Sequence, residues 1–116
     1  MNKTNVAIAE AYYTAVGKKD IAGIERYLHP DVQFIGPLAK MTGKEAVLEA
    51  TKKFSAFFNT LTIRAKFGSG DQAVVVYDLD FPAPIGNLSS AALMTFQGGV
   101  VTRIELFFDA RPFYKG

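Results

Sequence analysis

Leu88-Ser89-Ser90-Ala91-Ala92-Leu93-Met94-Thr95-Phe96-Gln97-Gly98-Gly99-Val100-Val101-Thr102-Arg103-Ile104-Glu105-Leu106-Phe107-Phe108 reads as two long strands joined by a tight Gly98-Gly99 hairpin turn. Apolar side chains fall on both faces of this hairpin. Met94 and Phe96 alternate with Leu93 and, in part, Thr95. Ile104, Leu106 and Phe108 share one face of the last strand, and Val101 and Phe107 share the other with Arg103 and Glu105. A sheet covered by helices on one side only should offer water a polar second face.

Working outward, residues 61–67 and 73–81 read as strands joined by the turn Gly68-Ser69-Gly70-Asp71, and residues 82–87 form a proline-rich connection. Upstream the pattern turns helical. Between Thr4 and Val16 the single charge is Glu10, so this helix is expected to be buried on most sides, with Gly17 ending it. Asp20 caps a short second helix on which Ile21, Ile24 and Leu28 share a face, and Pro30 ends it. Residues 32–35 read as a short strand, and Gly36-Pro37 opens a loop that runs to Met41. Thr42 and Glu45 form a capping-box pattern for a third helix carrying Val47, Leu48, Phe54, Phe57 and Phe58. Three helices first and strands last predict an α+β fold, with a curved sheet wrapped around the first helix and a hollow between them. Three helices in 116 residues cannot cover a five-stranded sheet twice. The outer sheet face is therefore expected to be buried against another copy as a homodimer.

The composition fits one domain spanning residues 1–116. Apolar residues make up 49%, with ten Phe and five Tyr, more than an ordinary core needs and enough to line a pocket or an interface. The net charge is only +2 and the basic residues are scattered, so no nucleic-acid footprint is present. No run is long and apolar enough for a membrane span. The chain has no cysteine, which excludes thiol chemistry and is compatible with a cytoplasmic location. His29 is the single histidine and reads as a turn residue, so no metal site is expected.

The order of elements, Tyr12 placed eight residues before Asp20, the run Tyr27-Leu28-His29-Pro30-Asp31-Val32, the helix start Thr42-Gly43-Lys44-Glu45-Ala46 and the segment Arg103-Ile104-Glu105-Leu106-Phe107-Phe108-Asp109 together resemble the nuclear transport factor 2-like superfamily. Within it they are most similar to the SnoaL-like and ketosteroid-isomerase-like branch of small bacterial proteins. The resemblance spans nearly the whole chain. It implies a cone-shaped sheet, a cystatin-like α+β roll, closed around the long first helix with an apolar cavity at its open end. Dimers through the outer sheet face are common in that family. The superfamily holds isomerases, cyclases, hydrolases, dehydratases and non-enzymatic binding modules, so the fold does not choose among them.

Isomerisation of the ketosteroid kind needs a carboxylate base, a tyrosine donor and a protonated aspartic acid around the developing oxyanion. Tyr12 matches the tyrosine by its spacing. Gly36-Pro37 stands where that family shows an Asp-Pro pair, and the second donor should fall near Ala92. Neither glycine nor alanine can do that work. By the same alignment Glu105 would point into the cavity beside Arg103, where burial would suit it to acid-base chemistry. The other reading of Glu105 is a salt bridge to Arg103 or Arg64. Asp78 and Asp80 alternate with Val74 and Val76 and either supply a carboxylate or cap a solvent-facing strand end.

The candidate catalytic residues are thus Tyr12, Glu105 and Asp78. The candidate ligand-binding residues are Gln33, Met41, Phe57, Met94 and Phe107, and Lys40 is a candidate for drawing an anionic ligand tail to the cavity mouth. Two functions remain open at this stage. One is an enzyme of isomerase or cyclase type acting on an apolar small molecule without a cofactor. The other is a binding or dimerisation module whose pocket is closed or partly filled. A carboxylate within reach of the Tyr12 hydroxyl would separate them.

Overall fold

The computed structural model describes residues 4–114. The chain runs α1 (Asn5–Gly17), α2 (Ile21–Glu25), β1 (Leu28–Ile35), β2 (Lys40–Thr42), α3 (Lys44–Ser55), β3 (Thr60–Ser69), β4 (Gln72–Asp80), β5 (Asn87–Gln97), β6 (Val100–Phe108) and α4 (Arg111–Tyr114). The strands form one mixed, curved sheet of six, in the order β2-β1-β6-β5-β4-β3. All neighbours are antiparallel except β1 and β6, which run parallel. The helices come first and the long strands last, as the α+β reading expects.

Three ladder irregularities accompany the curvature. Register shifts occur between Ile63 and Ala65 in β3, between Leu28 and Gln33 in β1, and opposite Thr95 and Phe96 where β6 carries an extra residue. Each extra residue bends its strand and raises the local twist. The inner face gathers Val75, Tyr77, Leu79, Ala92, Met94, Phe96, Val101 and Ile104, all buried, around α1, which buries Ile8, Ala9, Tyr12, Tyr13, Ala15 and Val16. Full burial of a side chain such as Ile104 contributes about 1.5–3 kcal/mol.

Several local expectations are corrected. Val101 does not share a face with Arg103 and Glu105. The bulge in β6 pairs Val101 with Phe96 and turns it inward. Leu28 belongs to β1 and not to the second helix. Pro30 is tolerated there because β2 pairs only with residues 33–35 and leaves the start of β1 an open edge. The segment ahead of α3 is not all loop, because Lys40, Met41 and Thr42 pair back on β1 as a sixth strand. That pairing also removes the capping box. Thr42 is held opposite Gln33, and the cap position falls to Gly43, at φ 107° with no side-chain cap bond. The Gly43 N–H donates instead to the Val32 carbonyl at 2.8 Å.

The first helix ends one residue beyond expectation. Gly17 is its last member, and a β-carbon there would stand 3.3 Å from Leu61, so glycine permits close approach of α1 to β3. The left-handed turn falls on Lys19 (φ 59°), whose Nζ donates to the Phe58 carbonyl at 2.7 Å and sits over the Phe58 ring. Asp20 caps α2 through the Gly23 N–H at 3.0 Å. After β6 the short α4 brings Phe113 edge-on to Phe81 and Phe108. Asp109 and Arg111 form a close, exposed ion pair at 2.6 Å, and the guanidinium lowers the Asp109 carboxyl to about 2. No helix among the described residues is long and apolar enough to cross a membrane.

Candidate functional site

Between α1, α3 and the concave sheet face lies a partly open cavity of about 210 Å³. Helix α1 contributes Tyr12, Tyr13 and Val16; α3 contributes Val47, Ala50, Thr51 and Phe54. The sheet adds Phe34, Met41, Tyr77, Leu106 and Phe108, and the loop after β1 closes one side with Gly36, Leu38 and Ala39. These positions follow from local rules. Tyr12 and Tyr13 are adjacent on a helix buried on most sides, so both rings turn inward. Tyr77 alternates with Val75 and Leu79 on the inward side of β4, and Leu106 with Ile104 and Phe108 on β6.

The polar inventory of the cavity wall is short. Among the described residues that line it there is no carboxylate and no cation; the side-chain polar groups are the hydroxyls of Tyr12, Tyr13, Tyr77 and Thr51. The three tyrosines form one cluster. Tyr12 and Tyr13 meet edge to face with ring centroids 5.0 Å apart, and Tyr13 stacks on Tyr77 at 4.7 Å. Burial lifts the Tyr12 hydroxyl well above its usual range, and the neighbouring Tyr77 adds to this while Thr51 partly offsets it. Burial also lifts Tyr13, with Tyr77 and Tyr12 beside it, and lifts Tyr77, where the Tyr13 and Ser90 hydroxyls partly offset the effect. All three are therefore neutral at ordinary pH, each with a proton to donate. Thr51 itself donates to the Val47 carbonyl at 2.8 Å.

Of the residues singled out from sequence, the structure brings Tyr12 and Met41 to this cavity. Glu105 does not point into it. β6 turns Glu105 to the convex face, where it lies 3.5 Å from Arg103, which in turn donates to Gln33. The bulge in β6 precedes this residue, and the strict alternation that follows puts Ile104 and Leu106 inward and Glu105 outward. Asp78 is also on the convex face, 3.3 Å from Arg64 and accepting from the Ser89 hydroxyl at 2.8 Å. Gln33 is on the convex face as well, opposite Arg103. Phe107 is 56% exposed there, and Phe57 is 64% exposed at the end of α3, so neither lines the cavity. Met94 is fully buried on the inner face, but in the core beside the cavity and not in its wall. Lys40 is exposed on β2, at the sheet edge and not in the wall.

Gly36 does reach the wall, so the position that would hold the isomerase base carries hydrogen in place of a carboxylate. Ala92 is buried opposite Leu106 and offers no donor. Tyr13, Tyr77 and Thr51 were missed from sequence. The outward alternation of Asp78 with Val74 and Val76 already implied that Tyr77 faces inward, whereas nothing local marks Thr51.

No curated protein matches the chain in sequence. Solved structures match closely in shape. An NTF2-like protein of unknown function from Cytophaga hutchinsonii superposes with a TM-score of 0.86 at 18% identity, over 99% of this chain and 98% of that one. TerC, co-crystallised with polyporic acid, gives 0.80 at 24% identity, over 95% of each chain. A protein conserved in bacteria with a cystatin-like fold, from Silicibacter pomeroyi, gives 0.82 at 19% identity, over 92% of this chain and 77% of that one. At such identities these likenesses establish the fold alone. The SnoaL-like domain model matches residues 9–104, which take in most of α1, all of α3 and most of the sheet. With helix-first order, curved mixed sheet and family match in agreement, the chain belongs to the SnoaL-like domain family.

Proposed function

We propose that the cavity between α1, α3 and the sheet binds a small, largely apolar molecule, and that the protein is a ligand-binding member of its family with no carboxylate acid or base at the site. The observation that carries this reading is the make-up of the wall: apolar side chains, four hydroxyls, and no charged group among the described residues. Tyr12 keeps its proposed place as a hydroxyl contact to the ligand. Glu105 and Asp78, each engaged by an arginine on the convex face, have no path to a molecule held there. TerC shows that a structure of this shape can be crystallised with a small molecule, which supports the reading by analogy of fold.

Size narrows the ligand. Pockets for drug-sized ligands run to about 300–1,000 Å³, whereas a dry cavity of about 150 Å³ holds a benzene ring. A volume of about 210 Å³ suits a ligand of one or two rings. The test is a thermal-shift series from one-ring ketones to four-ring steroids, repeated on Leu106→Trp, which fills the cavity. One- and two-ring members should raise the melting temperature of the wild type and not of the filled variant. No shift from any member, or equal shifts in both proteins, would overturn the reading.

The convex face supports a second part of the proposal, a homodimer. Phe67 and Phe107, 64% and 56% exposed, stand in neighbouring rows with Val74, Val76, Ala91 and Leu93. A contiguous apolar surface of this kind marks an interaction site.

A further inference from the structure

Behind one wall of the cavity, phenylalanine rings meet in an unbroken arc. Phe54 on α3 packs edge to face with Phe81 at 5.7 Å between ring centroids, Phe81 with Phe113 at 5.6 Å, and Phe113 with Phe108 at 5.8 Å. The two ends of the arc, Phe54 and Phe108, line the cavity, whereas Phe81 and Phe113 stand behind them. The arc therefore ties α3 to the end of β6, the elements that carry its end rings.

The four rings are not held equally. Phe54 sits on a helix of 12 residues, and Phe108 is paired with Ser90 in the sheet. Phe81 is 3% exposed, and its N–H donates to the Gly86 carbonyl at 2.9 Å. Phe113 comes from a helix of four residues, too short to be stable by itself. The hydrogen bonds that shape α4 are local. The Asp109 carboxylate accepts from the Arg111 N–H at 3.0 Å, and the Phe113 N–H donates to the Ala110 carbonyl at 3.0 Å. The Phe113 ring, set against Phe81 and Phe108, seats this turn on the rest of the fold. Edge-to-face contact fixes how a ring is turned. With Phe113 in place the half-buried Phe108 is backed from behind and held as cavity wall. Without that ring Phe108 has room to swing back, and the cavity lengthens.

We propose that Phe113 limits the length of ligand the cavity accepts. It is a positioning residue that acts through Phe108, so the site takes compact aromatic molecules and turns away those with a long tail. This rests on the cavity being a ligand site, as proposed above.

The test uses aryl ketones of growing tail: acetophenone, butyrophenone and hexanophenone. Affinities are measured by ligand-observed nuclear magnetic resonance on the wild type, Phe113→Ala, Phe113→Leu and Val101→Ala, each checked for folding by circular dichroism. Each methylene that finds room in an apolar cavity should raise affinity about fourfold. In the wild type that gain should stop once the tail meets Phe108. In Phe113→Ala it should continue, so that the ratio of hexanophenone to acetophenone affinity exceeds the wild-type ratio roughly tenfold. Phe113→Leu, the milder truncation, should give an intermediate ratio, and it carries the test if Phe113→Ala does not fold. Val101→Ala shortens a buried residue at the opposite end of β6, outside the cavity wall, and should leave the ratio unchanged. A wild-type ratio in both Phe113 variants overturns the proposal while leaving the cavity reading intact. An equal rise in Val101→Ala also overturns it, since the effect would then be general loosening of the core. If no ketone of the series binds any of the four proteins, the cavity reading falls and the length limit falls with it.

Discussion

At the scale of single residues, the three buried tyrosines make a prediction that needs no ligand. Tyr12, Tyr13 and Tyr77 all have folded-state values raised above the usual 10.0, chiefly by burial. The stability they confer is fully present below about pH 10, where both states keep the phenol proton. As pH climbs past that point the unfolded chain ionises first, the folded chain holds its protons, and stability falls. The slope approaches about 1.4 kcal/mol per pH unit for each such group, with the three titrating as a coupled set. Urea melts taken from about pH 9 to about pH 11 should show this loss, and Tyr13→Phe or Tyr77→Phe should make it shallower. A slope identical in wild type and variants would show that these hydroxyls are not buried. Gly36 gives a second residue-scale prediction. A β-carbon there meets Leu106 and Phe34 at ordinary contact distances of 3.5 and 3.6 Å, so Gly36→Asp should fold. Its carboxyl would enter an apolar wall and titrate above the normal carboxylate range, readable by carbon-13 chemical shift. A normal carboxylate value would mean that the side chain escapes to water.

At the scale of elements, sequence and structure part company wherever a long-range pairing overrides a local signal. The Thr42–Glu45 pattern is a good local cap, yet β2 takes Thr42 into the sheet and leaves Gly43 to start α3. By contrast Thr4 caps α1 through the Ala7 N–H at 3.2 Å, and Asp20 caps α2 through Gly23 at 3.0 Å, both without competing strands. Thr42→Ala should therefore change stability by less than about 0.5 kcal/mol, while Asp20→Ala should cost about 1 kcal/mol. Equal losses in chemical denaturation would restore the capping box. The hairpins at Gly70-Asp71 and Gly98-Gly99 were legible because a tight turn is local, and the inward rows of β4 and β5 because alternation is local. The sixth strand was not legible, since three residues carry no period of their own. Nor was the β6 bulge, which moves Val101 inward and shows only in the pairing with β5. Most of the candidate site was hidden as well. Tyr12 and Met41 reach the cavity, but the side of β6 that Glu105 occupies depends on that ladder and not on its own neighbours.

At the scale of the whole molecule, the doubly apolar final hairpin divides into two kinds of surface with different consequences. Ile104 is fully buried on the inner face, whereas Phe107, three residues on, lies open on the convex face. An aspartate at either position places a charge on an apolar surface, but the two changes act on different equilibria. Ile104→Asp strands a charge inside the fold, at a cost of several kcal/mol that a domain of this size does not survive. Phe107→Asp leaves the single chain as it is, because the ring is already exposed there, and disturbs only what the convex face docks against. If that face joins two copies, a two-fold axis presents the change on both sides at once, so the two carboxylates add to the loss of two rings. Sedimentation at micromolar concentration should then find wild type as a dimer and Phe107→Asp as a folded monomer, with circular dichroism matching between them. Monomeric wild type would leave Phe67, Val74, Leu93 and Phe107 without a second copy to cover them and would remove the homodimer from the proposal.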